Sequence, residues 1–282
     1  FSEAFKVIKT QEDYQHLTYL YLKKLAEQNC IYAELIVSPF HAQENNINYE
    51  TMLQGIIDGI DQAQKEFNIE ARILMAFLRH FGPTLALECA QPVWQNLHPY
   101  VVGINLVGDI KQYEVKAFEK LFSRASNYNL GLSCHAGELD GGPEEIWQAV
   151  DILGASRISH GVRCIEDLKL VAHLKEKKIL LEVCLTSNIT LKMYPKYEAH
   201  PLAELKKLDL AVTLNTDDPG FFDTDLNHEY FLAQKYAGFT NEDLIQATQK
   251  ALAASFASPQ LKEKLSKEML NKKAFSEKQK NF

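Results

Sequence analysis

Three short stretches of this sequence carry side chains able to bind a metal ion or move a proton. Gly131–Glu138, Gly-Leu-Ser-Cys-His-Ala-Gly-Glu, is an apolar run that ends in His135, with Glu138 three residues on. A histidine at the tip of a buried strand offers a ligand nitrogen, and the nearby carboxyl can carry a proton. Arg157–Gly161 sets a second histidine, His160, at the end of another run, and Leu214–Pro219 sets Asp217 and Asp218 at the end of a third. Taken singly, each has a plainer reading: a strand-end histidine, a carboxylate beside a helix N-cap, an Asp-Asp-Pro turn. Taken together, they describe one site to which different strands contribute.

Such residues converge only if the intervening chain alternates strand and helix. Helix-period stripes of apolar residues occur over Asp13–Glu27, Thr51–Phe67, Thr84–Asn96, Tyr113–Ser126 and Asp167–Lys177. Between them lie strand-like runs at Ile31–Pro39, Glu70–Arg79, Val101–Asp109, Gly131–Glu138, Arg157–Gly161, Ile179–Asn188 and Leu210–Asp217. Proline at the first helical position and acids in the first turn start a helix at Pro143 that runs to Leu153, and a short helix follows Pro201. His41–Tyr49 reads as a polar loop. The pattern predicts a parallel α/β sheet of (β/α)8 TIM barrel type with its first strand absent, in one domain over residues 1–282. Thr240–Asp243 forms a capping box for a helix to Phe256, and Ser258-Pro259 starts another, so extra C-terminal helices pack beyond the barrel. An open doubly wound sheet would need a Gly-rich phosphate turn, and neither G-x-G-x-x-G nor a P-loop occurs. At barrel strand ends, His80 faces the expected mouth, as catalytic residue or structural cap. His41, His173 and His200 read as loop or surface residues.

Composition narrows the function further. A net charge of −7 argues against nucleic acid as partner, and no apolar run approaches the ~18 residues of a membrane span. Five cysteines without a C-x-x-C read as reduced core residues of a cytoplasmic protein. Small molecules are the expected partners.

His-Ala-Gly-Glu at 135–138, Ser-His-Gly-Val-Arg at 159–163, Glu-Val-Cys-Leu-Thr-Ser-Asn at 182–188, Asn-Thr-Asp-Asp-Pro at 215–219 and Val-Val-Gly-Ile-Asn-Leu-Val-Gly-Asp at 101–109 resemble the adenosine deaminase family in order and spacing across nearly the whole chain. The resemblance implies hydrolysis of the 6-amino group of a purine nucleoside, adenosine to inosine and ammonia, with one zinc ion. It makes His135 and Asp217 metal ligands, with Asp217 also holding the attacking water. A bound divalent cation lowers the pKa of water from near 16 to about 7, which provides a nucleophile at neutral pH. Glu138 resembles the proton donor to purine N1, a role that needs a carboxyl held protonated by burial or a neighbouring anion. His160 resembles the residue that stabilises charge on the attacking oxygen, Asp218 the partner of N7, and the Gly108 backbone N–H the contact to N3.

Two departures stand out. Leu185 follows the cysteine of Glu-Val-Cys where the family usually has proline, which bears on loop geometry. The family's first strand also carries a His-x-His pair supplying two more metal ligands, and no His-x-His occurs in this sequence. Without such a pair the chain alone is expected to be inactive. The expectation is therefore a native polypeptide extending upstream by roughly 60 residues, about two strand-helix units, or a separate N-terminal fragment as partner. The competing expectations are an adenine or modified-adenosine deaminase, a catalytically dead purine-binding relative, and another metal-dependent amidohydrolase.

Overall fold

A computed structural model describes residues 2–109 and 111–279, with side chains over 4–109 and 111–270. Among the described residues, seven strands form one parallel sheet in chain order: β1 (Tyr32–Val37), β2 (Glu70–Leu78), β3 (Val101–Val107), β4 (Gly131–Ala136), β5 (Arg157–His160), β6 (Leu180–Val183) and β7 (Ala211–Leu214). Most are rich in Val, Ile, Leu or Ala, the short β5 having only Ile158 of these, and amphipathic helices in the crossovers cover the sheet. The helix Tyr49–Phe67, for example, buries Met52, Ile56 and Ile60 and ends at Asn68 in the left-handed region. Among the described residues, no helix is long and apolar enough to cross a membrane.

The sheet is curled, as a barrel requires. Glu34 on β1 and Arg157 on β5 meet at 2.6 Å, although four inter-strand spacings would hold them ~19 Å apart in a flat sheet. Arg157 also lies 3.1 Å from Glu182 on β6, so a buried carboxylate–guanidinium–carboxylate triad crosses the barrel near the strand starts. The connection after the helix Asn241–Ala254 closes that end. Phe256 sits beneath Arg157, its ring 3.7 Å from the guanidinium carbon, and donates its backbone N–H to Glu34 Oε1. A Cβ at Gly131 would overlap the Phe256 ring, so the first residue of β4 has to be glycine for this plug to seat.

β1 and β7 are the two edges of the sheet, as the sequence predicts for the Ile31–Pro39 and Leu210–Asp217 strands. The edge shows in burial: every residue of β1 is at least partly exposed, with Ile36 at 44%, whereas β2 is buried nearly throughout.

Local structure departs from sequence expectation where side chains compete with propensity. Residues 41–49, expected as a loop, contain most of a helix, Pro39–Glu44, started by proline in the first turn. The helix expected over Thr84–Asn96 is two, Gly82–Cys89 and Gln91–Gln95, because Pro92 has no N–H to continue the first. The strand expected through Asn188 stops at Val183, and Leu185–Thr190 is helical. Its turn is anchored by buried Glu229, which accepts from the Thr186 N–H at 3.2 Å and from Thr224 Oγ1 at 2.7 Å. Glu229 lies on a helix, Leu226–Ala237, that periodicity did not reveal.

Candidate metal and proton-transfer site

The parallel register brings the motifs together at one end of the sheet. Cys134 pairs with Ile158 and Ala136 with His160, so the ends of β4 and β5 lie side by side and the His135 and His160 rings are 5.1 Å apart. His160 and Asp217 both turn the chain with positive φ, 62° and 55°. Non-glycine residues seldom adopt this conformation, and its use at two strand ends aims both side chains inward. One ligand atom each from His135, His160 and Asp217 lies within 4.8 Å of the others. Ligands ~2.1 Å from a tetrahedral zinc are ~3.4 Å apart, so the cluster is of the right size for a cation. Glu138 faces it, with Oε1 3.4 Å from His160 Nε2.

Hydrogen bonds determine which atom of His135 is available. Asn105 on β3 donates its amide to Ser133 Oγ at 3.0 Å and to Ser159 Oγ at 3.1 Å. Its Oδ1 is therefore the acceptor facing His135 Nδ1 at 2.8 Å, and the imidazole must donate there. This leaves the Nε2 lone pair for a metal. Burial first, then the nearby His160, push the His135 pKa down and keep that lone pair free of a proton. Both serines donate onward to Glu182 Oε2, which ties the site to the Arg157 triad below. Asp217 Oδ2 accepts from Ser187 Oγ at 2.7 Å.

Asp218 stands beside Asp217, open to solvent at the rim; partial desolvation followed by that neighbouring charge raises its carboxyl to about 7, so a protonated fraction able to donate persists near neutral pH. Gly108 follows β3 on the same rim with φ 99°, and a Cβ there would press to 2.7 Å from His80 Nδ1. His80 thus lies at the mouth, packed on Phe81 with ring centroids 4.2 Å apart. Cys134 and Cys184 are buried beside the site, and burial drives both thiols up, away from the thiolate a nucleophile would need.

A sequence profile described as adenosine deaminase matches residues 1–272. The chain belongs to the adenosine deaminase family. Among relatives, an adenine deaminase of Agrobacterium fabrum is 40% identical over 260 residues, 92% of this chain and 80% of its own length. The crystal structure of an adenine deaminase from Arthrobacter aurescens superposes with a TM-score of 0.90 at 28% identity, covering 96% of this chain and 82% of that one. The N6-methyl-AMP deaminase of Arabidopsis thaliana gives 0.84 at 26%, covering 94% and 80%.

Within this adenosine deaminase family member, His135, Glu138, His160 and Asp217 form one cluster, with Asp218 beside it and Gly108 on the adjoining rim. His173, on the surface as expected, bonds to Asp151, and His41 stacks on Phe5. His200 does not lie in a surface loop: it is 6% exposed and bonded to Asn188 behind the site. Pro201 after His200 signalled only the start of a short helix, and the buried partner is twelve residues away. Asn105, Glu182, Ser187 and Asn188 also went unassigned. They lie within the motif stretches, but their contacts cross strands.

Proposed function

We propose that this protein catalyses the hydrolytic deamination of a 6-aminopurine, with adenine as the favoured substrate and zinc as the metal. The observation that carries the reading is the convergence of His135, Asp217, His160 and Glu138 around one point. Mixed imidazole and carboxylate donors suit zinc. His135 Nε2 and Asp217 would hold the ion. Bound there, the ion would supply a water acidic enough to serve as nucleophile at neutral pH.

The chain's own groups then do the rest. Glu138 delivers a proton to N1, which makes C6 electrophilic, and His160 beside it stabilises charge growing on the attacking oxygen. Protonated Asp218 donates to N7, which can only accept. The Gly108 N–H serves N3, and the glycine lets the backbone come close. All of these groups address the purine base. The similarity to adenine deaminases at 40% identity favours the free base over adenosine, the substrate first implied by the sequence motifs.

The test is ammonia release from adenine, adenosine and N6-methyl-AMP, with zinc content measured on the same sample. Adenine should have the highest kcat/KM, at one zinc per chain. Faster adenosine turnover would restore the nucleoside reading. Absence of both zinc and turnover would instead make the protein a purine-binding relative without catalysis.

A further inference from the structure

His160 can take three roles at the site: metal ligand, proton acceptor or hydrogen-bond donor. Each needs a particular nitrogen to carry the hydrogen, because in a neutral imidazole one nitrogen donates and the other accepts. A line of buried hydrogen bonds running away from the site decides which. It starts at a backbone N–H, a group that can only donate: Leu202 donates to His200 Nδ1 at 3.1 Å. His200 must therefore carry its hydrogen on Nε2, and it gives that hydrogen to Asn188 Oδ1 at 3.0 Å. The orientation of the Asn188 amide follows, with Nδ2 donating to His160 Nδ1 at 3.1 Å. His160 Nδ1 is then an acceptor, so the hydrogen of this ring sits on Nε2. That nitrogen faces Glu138 Oε1 at 3.4 Å and Asp217 Oδ2 at 3.8 Å, both of them acceptors.

Each link is shut off from water, with His160 at 1%, Asn188 at 0% and His200 at 6% exposure. Reversing any one link would set two donors or two acceptors against each other with no solvent to relieve them. Among the described residues, the other acceptor that the Asn188 Nδ2 group meets is the weak Met193 sulfur at 3.3 Å.

We propose that Asn188 and His200 are positioning residues that lock His160 as its Nε2–H tautomer, so that His160 meets the reacting oxygen as a hydrogen-bond donor and is neither a metal ligand nor a proton acceptor. The catalytic half of this inference rests on the deaminase reading; the tautomer half does not. His160, although within reach of His135 and Asp217, has no lone pair to offer the cation. A donor there strengthens as negative charge builds on the oxygen, which is the requirement for lowering a barrier.

The direct measurement is 15N NMR of the metal-free protein with labelled histidine, His160 and His200 being assigned from the spectra of His160→Gln and His200→Gln. Both rings should show a protonated Nε2 and a bare Nδ1. A proton on His160 Nδ1 in the unaltered protein overturns the lock. The reversal variant is Asn188→Asp, which keeps shape but puts a carboxylate acceptor against His160 Nδ1. It should move the His160 hydrogen to Nδ1 and lower kcat roughly 100-fold while KM changes little. Wild-type kcat in Asn188→Asp with the tautomer reversed would overturn the donor role. Correct tautomers in a protein that deaminates no purine would defeat the deaminase reading and leave the lock standing. An active deaminase with His160 protonated on Nδ1 would do the opposite.

Discussion

Arg157 Nη1 and Glu34 Oε2 are 2.6 Å apart across the interior of the sheet, joining its first strand to its fifth. Arg157 is 4% exposed, and Glu182 on its other side accompanies it, so these two carboxylates compensate its buried charge. Removing the guanidinium leaves buried acids facing each other. Arg157→Met should lower unfolding stability by about 3–5 kcal/mol in urea titrations. A loss below about 1 kcal/mol would mean that water reaches the triad and that it does not hold the curl together.

Glu138→Gln keeps the size and polarity of the side chain but cannot deliver a proton to N1. It should retain zinc and ligand binding while kcat falls roughly 100- to 10,000-fold. Near-normal turnover would remove Glu138 from the proton-donor role.

If Asp218 donates to N7, losing either partner should cost the same interaction once. Asp218→Ala, which leaves no donor, is expected to reduce kcat/KM roughly 10- to 100-fold, and an analogue with carbon at position 7 should cost that variant little more. Fully additive losses in this double-substitution cycle would argue against the pairing.

Stability should depend on pH through His200. Burial first, then His160, lower its pKa from 6.5 to about 3. The unfolded chain therefore binds a proton that the folded chain refuses. The contribution is complete above pH 6.5 and is lost as pH falls toward 3, on the order of 5 kcal/mol in all and about 2 kcal/mol between pH 7.5 and 5. Urea titrations at the two pH values should show a smaller drop for His200→Gln than for the unaltered protein. Equal drops would place the titration elsewhere.

Ser187 and Asp217 give a further expectation. The hydroxyl occupies Asp217 Oδ2 at 2.7 Å and helps hold a carboxylate whose backbone is already in the left-handed region. Ser187→Ala should weaken zinc binding about 10- to 100-fold, read by competition with a chelator. Unchanged affinity would show that the strand-end geometry alone positions the ligand.

What the sequence determined by itself is the alternation of strand and helix and the placing of His135, His160, Asp217 and Asp218 at strand ends, because periodicity and strand-end chemistry are local properties of the chain. The capping box at Thr240 and the proline start of the helix at Pro143 are local in the same way. Tertiary structure decided what depends on residues far apart in sequence. The end of β6 is decided by Glu229, some forty residues downstream, whose carboxylate takes the Thr186 N–H and overrides a strand-like run. The ligand atom of His135 is decided by Asn105 on the neighbouring strand, and the hydrogen-bearing nitrogen of His160 by a backbone N–H at Leu202 reached through His200 and Asn188. A hydrogen bond has a direction as well as a position. Its direction in a buried network follows from every donor and acceptor along the line, so it exists only once the chain has folded.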